Sequence, residues 1–368
     1  MGSLIAAAGA LCIVVIMWDA FEAIVLPRRV TRSLRPTRMF YRVTWRVWST
    51  VAHQMRAGAR RETYLSFFGP LSLLVLLGAW AASLVVGFAL LQSGLNTGLS
   101  MADGGSFVDY LYLSGETFFT LGLGDIVPAS GLGRGLVVLE AGIGFAFLAL
   151  VIGYLPVLYQ SFSRREVSIT LLDARAGSPP SAEELLRGSL SDPEELTALL
   201  REWERWSAEV LESHLSYPVL SYYRSQHDDQ SWLTALTTIL DASALVIVGV
   251  EHASARQAGL TFAMARHTVA DLAQVLGRAP IDSPQDRLPA SELARLRAGL
   301  AATGVVVAGA VGDDDKLAEL RRMYEPFVTA LSRYLLMPLP AWRVGASPHE
   351  NWRSTAWGET RGLPDDER

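Results

Sequence analysis

The sequence predicts an all-α membrane protein with three transmembrane helices, one re-entrant loop and a helical cytoplasmic domain. Three observations lead there. Residues 4–26, 64–91 and 136–159 are apolar runs that each cross a bilayer core at a rise of about 1.5 Å per residue. Between the second and third lies a shorter aromatic run, residues 107–119, that ends at once in glycines. The second half of the chain is acidic and reads as mainly helical.

Composition agrees with this division. Half of the 368 residues are hydrophobic and the mean hydropathy is +0.25, high for a purely soluble chain. Residues 1–165 carry 13 basic and 8 acidic side chains, whereas residues 166–368 carry 19 and 29. An acidic second half argues against nucleic acid or anionic lipid as its partner. Cys12 is the single cysteine, so no disulfide framework exists. Lys316 is the only lysine, and the prevalence of arginine in so alanine-rich a chain reads as composition rather than as design.

The first run, residues 4–26, is followed by Arg28 and Arg29 rather than preceded by positive charge, which is not the layout of a secretory signal. Ten arginines and no acid lie between Arg28 and Arg61, which places this linker in the cytoplasm and the N-terminus outside. Asp19 and Glu22 sit near the cytoplasmic end of the span. They either reach the interface or pair with linker arginines. Within the linker, Met39, Phe40, Val43, Val47, Val51 and Met55 recur at helical spacing beside Arg42 and Arg46, with Trp45 and Trp48 as interfacial aromatics. That pattern predicts an amphipathic helix lying on the inner membrane surface. Residues 64–91 are uncharged and run outward. Residues 94–109, rich in Gly, Ser and Asn, form an outer turret. Residues 107–119 form a short helix dipping into the membrane, and residues 136–159 return with Glu140 as their only charge.

The stretch Thr120-Leu121-Gly122-Leu123-Gly124-Asp125, set between that short helix and Pro128, resembles the T-V-G-Y-G-D selectivity filter of the potassium channel superfamily. Gly133-Arg134 matches a common channel pattern as well. The resemblance is to the prokaryotic pore-loop type with two pore helices, and it covers residues 64–162. The chain adds to it an N-terminal span and a helical C-terminal domain that lacks a nucleotide-binding signature. It implies that backbone carbonyls of Thr120, Leu121, Gly122 and Leu123 replace the water shell of a K+ ion, with Gly122 and Gly124 allowing the backbone to aim them. The negative end of the pore-helix dipole would favour a cation in the cavity below. Leu121 and Leu123 stand where the family has Val and Tyr. No main-chain ligand is lost, but a tyrosine hydroxyl is, leaving Tyr110, Tyr112, Phe118 and Phe119 as a cuff around Leu123. Glu116 and Thr117 are the expected filter supports, and the resemblance implies that Glu116 and Asp125 meet behind the filter and share a proton. Gly142 and Gly144 lie where family members bend the inner helix to open a gate, although glycine in a membrane helix equally serves close packing.

Beyond Arg165 the chain reads as helical. Residues 166–173 are a short strand or the end of the inner helix, and residues 177–190 read as a loop. Asp192, Pro193 and Glu194 carry helix-start signals, followed by Leu196, Leu199, Trp203, Trp206, Val210 and His214 on one stripe. Residues 231–251 are apolar enough to raise a fourth span, but Thr234, Thr237, Thr238, Asp241 and Ser243 favour a buried core helix. Helices are expected over 257–276, 291–307 and 313–336, the last kinked at Pro326. The expected domains are 1–27 (first span), 28–62 (linker), 63–163 (pore), 164–340 (cytoplasmic) and 341–368 (a disordered or partner-docking tail).

No dinucleotide fingerprint, P-loop lysine or zinc spacing is present. His214, His227, His252 and His267 with Asp228, Asp229 and Glu251 offer an alternative as a metal site in a helical bundle. The linker arginines are not spaced as a voltage sensor. The reading is a non-enzymatic, passive potassium channel in the cell's inner membrane. It contacts lipid, forms a homotetramer because each chain supplies one pore loop, and needs no cofactor beyond the permeant ion. Any cytoplasmic ligand is left unidentified. The alternatives are a weakly selective cation channel, or a membrane sensor or metal-binding protein with a vestigial pore.

Overall fold

A computed structural model of the chain describes residues 1–26, 35–101, 105–189, 192–227, 230–249, 253–302, 313–343, 354–355 and 358–359. The protein is an all-α membrane protein. Apart from two two-residue antiparallel stretches in the tail, its described elements are helices. Two compact units are present, residues 1–55 with 67–160 and residues 56–66 with 161–368.

In the first unit, α1 (Gly2–Ala20) runs into one π-helical turn, Phe21–Val25, and packs along α4 (Phe68–Gly94). Small residues let the two backbones approach. A Cβ at Gly9 would collide with the Leu91 nitrogen, and one at Gly94 with Ala6. Both acids of the first span have partners. The Asp19 carboxylate accepts from the Thr37 backbone N–H at 3.1 Å, the Thr37 hydroxyl at 2.5 Å and the Trp80 indole at 3.0 Å. It therefore caps the first turn of α2 (Pro36–Gln54), where unsatisfied N–H groups and the positive dipole end lie. Glu22 pairs with Arg35 at 3.2 Å, the linker-arginine alternative. Residues 27–34, with three of the linker arginines, lie outside the described residues.

On α2, Met39, Val43, Val47 and Val51 form an exposed apolar stripe, as an interfacial helix requires. Trp45 departs from expectation. It is buried, its ring 4.8 Å from that of Phe68, so it docks α2 on α4 instead of sitting at the lipid interface. The short aromatic run is α5 (Phe107–Phe118), started by a capping box between Ser106 and Asp109. The returning helix α6 is uninterrupted from Gly131 to Ala176, passing Pro156, so residues 166–173 are its end and not a strand.

In the second unit, α3 (Ala59–Ser66) joins α7 (Ala182–Ser189), α8 (Pro193–Ser216), α9 (Trp232–Gly249), α10 (Ala253–Val275), α11 (Ala290–Ala301) and α12 (Asp313–Leu335). Helix α7 corrects the loop expected over 177–190. Ser181 accepts the Glu184 N–H, Glu183 and Glu184 fill the first turn, and Leu185 and Leu186 are buried. The serines and prolines before it conceal so short a helix. Helix α9 has the length and hydropathy to cross a membrane, yet nearly nine-tenths of it is enclosed by α7, α8, α10 and α12. It is a core helix. Its buried Asp241 accepts from Arg287 at 2.6 Å and from the Tyr324 hydroxyl, which satisfies a charge that would otherwise be costly. Pro326 lies within α12 without ending it. Trp342, expected in a loose tail, is buried, and Arg343 donates to Glu183 at 2.9 Å, so this unit extends at least three residues past 340.

Candidate functional site

The end of α5 shapes the glycine stretch. Phe119 caps the helix, and Thr120 then takes φ +57°. The Thr120 N–H donates to Thr117 O at 3.0 Å and the Leu121 N–H to Glu116 O at 2.7 Å. This pair of bonds around one left-handed residue is a Schellman motif, which ordinarily places Gly or Asn in the left-handed slot. A β-branched Thr there costs on the order of 1–2 kcal/mol, and strain of this kind gathers at functional sites. Nothing in the spelling pointed to it, because the requirement comes from where α5 ends.

Positive φ then recurs at every second residue, at Gly122 (+61°) and Gly124 (+75°). A strand with ordinary φ throughout turns successive carbonyls to opposite sides, whereas alternating handedness brings them to one side. The carbonyls of Thr120, Leu121, Gly122 and Leu123 lie along this stretch, and residues 119–125 are all exposed in the single chain. Oxygens without formal charge, where such alternation turns them to one edge, suit a dehydrated monovalent cation.

Glu116 holds the stretch twice. Its carbonyl takes the Leu121 N–H, and its carboxylate Oε2 accepts the Leu123 N–H at 3.2 Å. Asp125 accepts from the Tyr112 hydroxyl at 3.2 Å. Each carboxyl thus has its own donor, and the direct Glu116–Asp125 contact implied by the resemblance is replaced by these two bonds. Of the expected cuff, Phe118 is buried against Phe147 and Tyr110 accepts the Gly98 N–H, while Phe119 is exposed. Thr117 is buried and contributes its carbonyl to the α5 cap. Outward of the stretch, Ser100 N–H donates to Val127 O at 2.9 Å and Ala129 N–H to Gly98 O at 3.0 Å, clipping the turret to the segment that leaves the glycines.

Replacing Glu116 by Ala is expected to leave the Leu123 N–H without its acceptor, at about 1–2 kcal/mol, whereas Glu116→Gln keeps an acceptor oxygen. Comparing the persistence of current in the two variants checks this. Equal behaviour of Gln and Ala would remove the role of the side chain.

Gly144 and Gly142 differ. A Cβ at Gly144 would fall deep inside contact distance of the Phe118 carbonyl, so α6 passes α5 there by close packing, while Gly142 has open space around it. Beside them is a polar contact that sequence reasoning missed. Ser114 of α5, Gln92 of α4 and Glu140 of α6 are all fully buried, and Glu140 contacts both the Ser114 hydroxyl and, at 3.5 Å, the Gln92 amide.

The metal alternative finds little to work with. Among the described residues no group of three or more His, Cys, Asp or Glu side chains is placed to hold a metal, and Asp228, Asp229, Glu251 and His252 lie outside them. His214 is a satisfied core residue. Its Nδ1 bonds Val210 O at 2.8 Å and its Nε2 faces Arg165 at 3.2 Å. Burial, then the Arg165 guanidinium, holds its pKa well below the ordinary histidine value. A depressed folded pKa means that the unfolded chain takes up the proton first, so stability is lost as pH falls below about 6.5, at up to ~1.4 kcal/mol per pH unit. Thermal unfolding of the full chain in detergent should show this acid slope, and His214→Gln should flatten it.

Comparison with known proteins places these residues. A family model described as "Ion channel" matches residues 72–160, which takes in most of α4, α5, the glycine stretch and most of the apolar part of α6. The chain is also 25% identical over 190 residues to a Bacillus subtilis (strain 168) protein named "Uncharacterized membrane protein YdjJ", covering 50% of this chain and 55% of that one. The alignment thus spans only about half the length of that relative. No solved structure matches the chain. Residues 72–160 support a likeness to the pore-loop channel superfamily, and the long apolar helices support a multi-pass membrane protein.

Proposed function

We propose that the chain is one subunit of a homotetrameric channel that conducts potassium passively across the cell's inner membrane. The N-terminus would lie outside and the second unit in the cytoplasm. The observation that carries this reading is the alternation of positive φ at Thr120, Gly122 and Gly124, held at the end of α5 by the backbone carbonyl and the carboxylate Oε2 of Glu116. Thr120, Leu121, Gly122 and Leu123 would supply backbone ligands to K+, and Asp125 would mark the outer mouth. Two features support assembly around an axis. The glycine stretch is exposed, and only about a tenth of the apolar window of α6 is buried within the chain, against just over half of that of α4. Val138, Phe145 and Ile152 are among the large apolar residues left open on α6.

Gating is assigned to the second unit. The helix that would line the pore continues into it without a break, and α3, which belongs to it, is joined to α4 through Phe67. With Gly144 committed to packing, Gly142 is the better candidate for a hinge. A weakly selective cation pore is the second reading, favoured by Leu123, which lacks a hydroxyl to tie the strand outward. Purified protein in planar bilayers under opposed K+ and Na+ gradients tests both. A reversal potential near that of K+ supports selectivity, one near zero supports the weakly selective pore, and no current removes the conduction reading.

A further inference from the structure

We propose that Glu140 is held as a neutral carboxylic acid and is a positioning residue that fixes α5, and with it the conducting strand, against both neighbouring helices. This rests on the channel reading above. The argument is one of counting hydrogens. The Ser114 hydroxyl oxygen lies 2.7 Å from the Val85 carbonyl and within hydrogen-bonding distance of Glu140 Oε1. A carbonyl can only accept, so the single hydroxyl hydrogen of Ser114 goes to Val85 O. The contact between the Ser114 and Glu140 oxygens also needs a hydrogen between them, and only the carboxyl can supply a second one. Glu140 Oε1 is then the acid O–H, donating to Ser114. Oε2 is its carbonyl oxygen, which takes the Gln92 amide N–H at 3.5 Å.

The surroundings leave no other way to carry a charge. Glu140, Ser114 and Gln92 are each fully buried. Helix α4 holds no ionisable side chain. On α5, Asp109 is occupied with the N-terminal cap, Tyr110 with Gly98, Tyr112 with Asp125 and Glu116 with Leu123. The cation nearest in sequence on α6, Arg134, is exposed and about 9 Å away along the helix axis. Among the described residues an ionised carboxylate here would have no counter-charge, an arrangement that is costly in a membrane interior.

The consequence concerns the filter. Ser114 lies two residues before Glu116, which grips Leu121 and Leu123. One acid proton therefore joins the outer helix, pore helix and inner helix at the level of α5 that carries the filter's support. When the proton leaves, the Ser114 contact loses its hydrogen and becomes repulsive, α5 loosens, and conduction should fall.

Two measurements on the full-length purified protein test this. In the infrared difference between wild type and Glu140→Gln, a protonated-carboxyl C=O band is expected at neutral pH, and Ser114→Ala should move that band. In bilayers, wild-type current should be lost on raising pH, approaching about tenfold per pH unit, the limiting slope of one titrating proton. Glu140→Gln, whose amide donates to Ser114 but cannot ionise, should conduct without that alkaline loss. The band needs no conduction, so a band without current sinks the channel reading and Glu140's role in the filter, while leaving its neutral state supported. Current without the band overturns the neutral acid, and an alkaline loss unchanged in Glu140→Gln overturns its part in conduction.

Discussion

Gly124→Ala is expected to abolish selective conduction while leaving the protein folded. Gly124 sits at φ +75° with no atom outside its immediate neighbours close enough to meet an added Cβ, so the substitution meets no steric wall. Its cost is conformational, about 1–2 kcal/mol for holding a non-glycine residue left-handed, small beside a total stability of roughly 5–15 kcal/mol. The chain can instead relieve the strain by flipping the local backbone, and that flip turns a carbonyl away from the shared edge. Gly122→Ala should act in the same way. Circular dichroism should be unchanged and potassium current lost. Normal current from Gly124→Ala would remove the assignment of the strand as a filter.

Gly144→Ala should act through packing. A Cβ there would drive into the Phe118 carbonyl at the last turn of α5, and neither backbone is a flexible side chain that can step aside. Overpacking of a tight site costs about 1–3 kcal/mol, and here the element displaced is the one that carries Glu116 and the strand behind it. Both melting temperature and current should fall. Gly142→Ala is the matched control, because the space around Gly142 is open. Its melting temperature should stay near wild type, so any change in its open probability reads helix flexibility alone. Equal stability losses in the two variants would refute the close approach at Gly144.

The left-handed positions differ in how readily the sequence announced them. Gly122 and Gly124 were legible because a left-handed backbone has a residue-level signature. Thr120 was not, since its positive φ belongs to the cap of α5 and no residue type advertises it. Hydropathy likewise made α1, α4, the apolar part of α6 and the short α5 visible, because apolarity is a property of a continuous segment. Hydropathy alone misled at α9, where an apolar run that matches a span in length is enclosed by protein instead of lipid.

What only the tertiary structure decided is which polar groups meet. Asp19 caps Thr37 18 positions away, Ser114 reaches Glu140 across 26 and Gln92 reaches it across 48, and Arg165 finds His214 across 49. The implied Glu116–Asp125 pair resolved into separate bonds to Leu123 and Tyr112, and Trp45 left the lipid interface for Phe68. Local sequence determines the length of a helix, its apolar face and its caps, because those depend on neighbours within a turn or two. The partner of a buried polar group depends on the angle and depth at which whole helices cross, and burial makes each such pairing obligatory without naming it in the spelling.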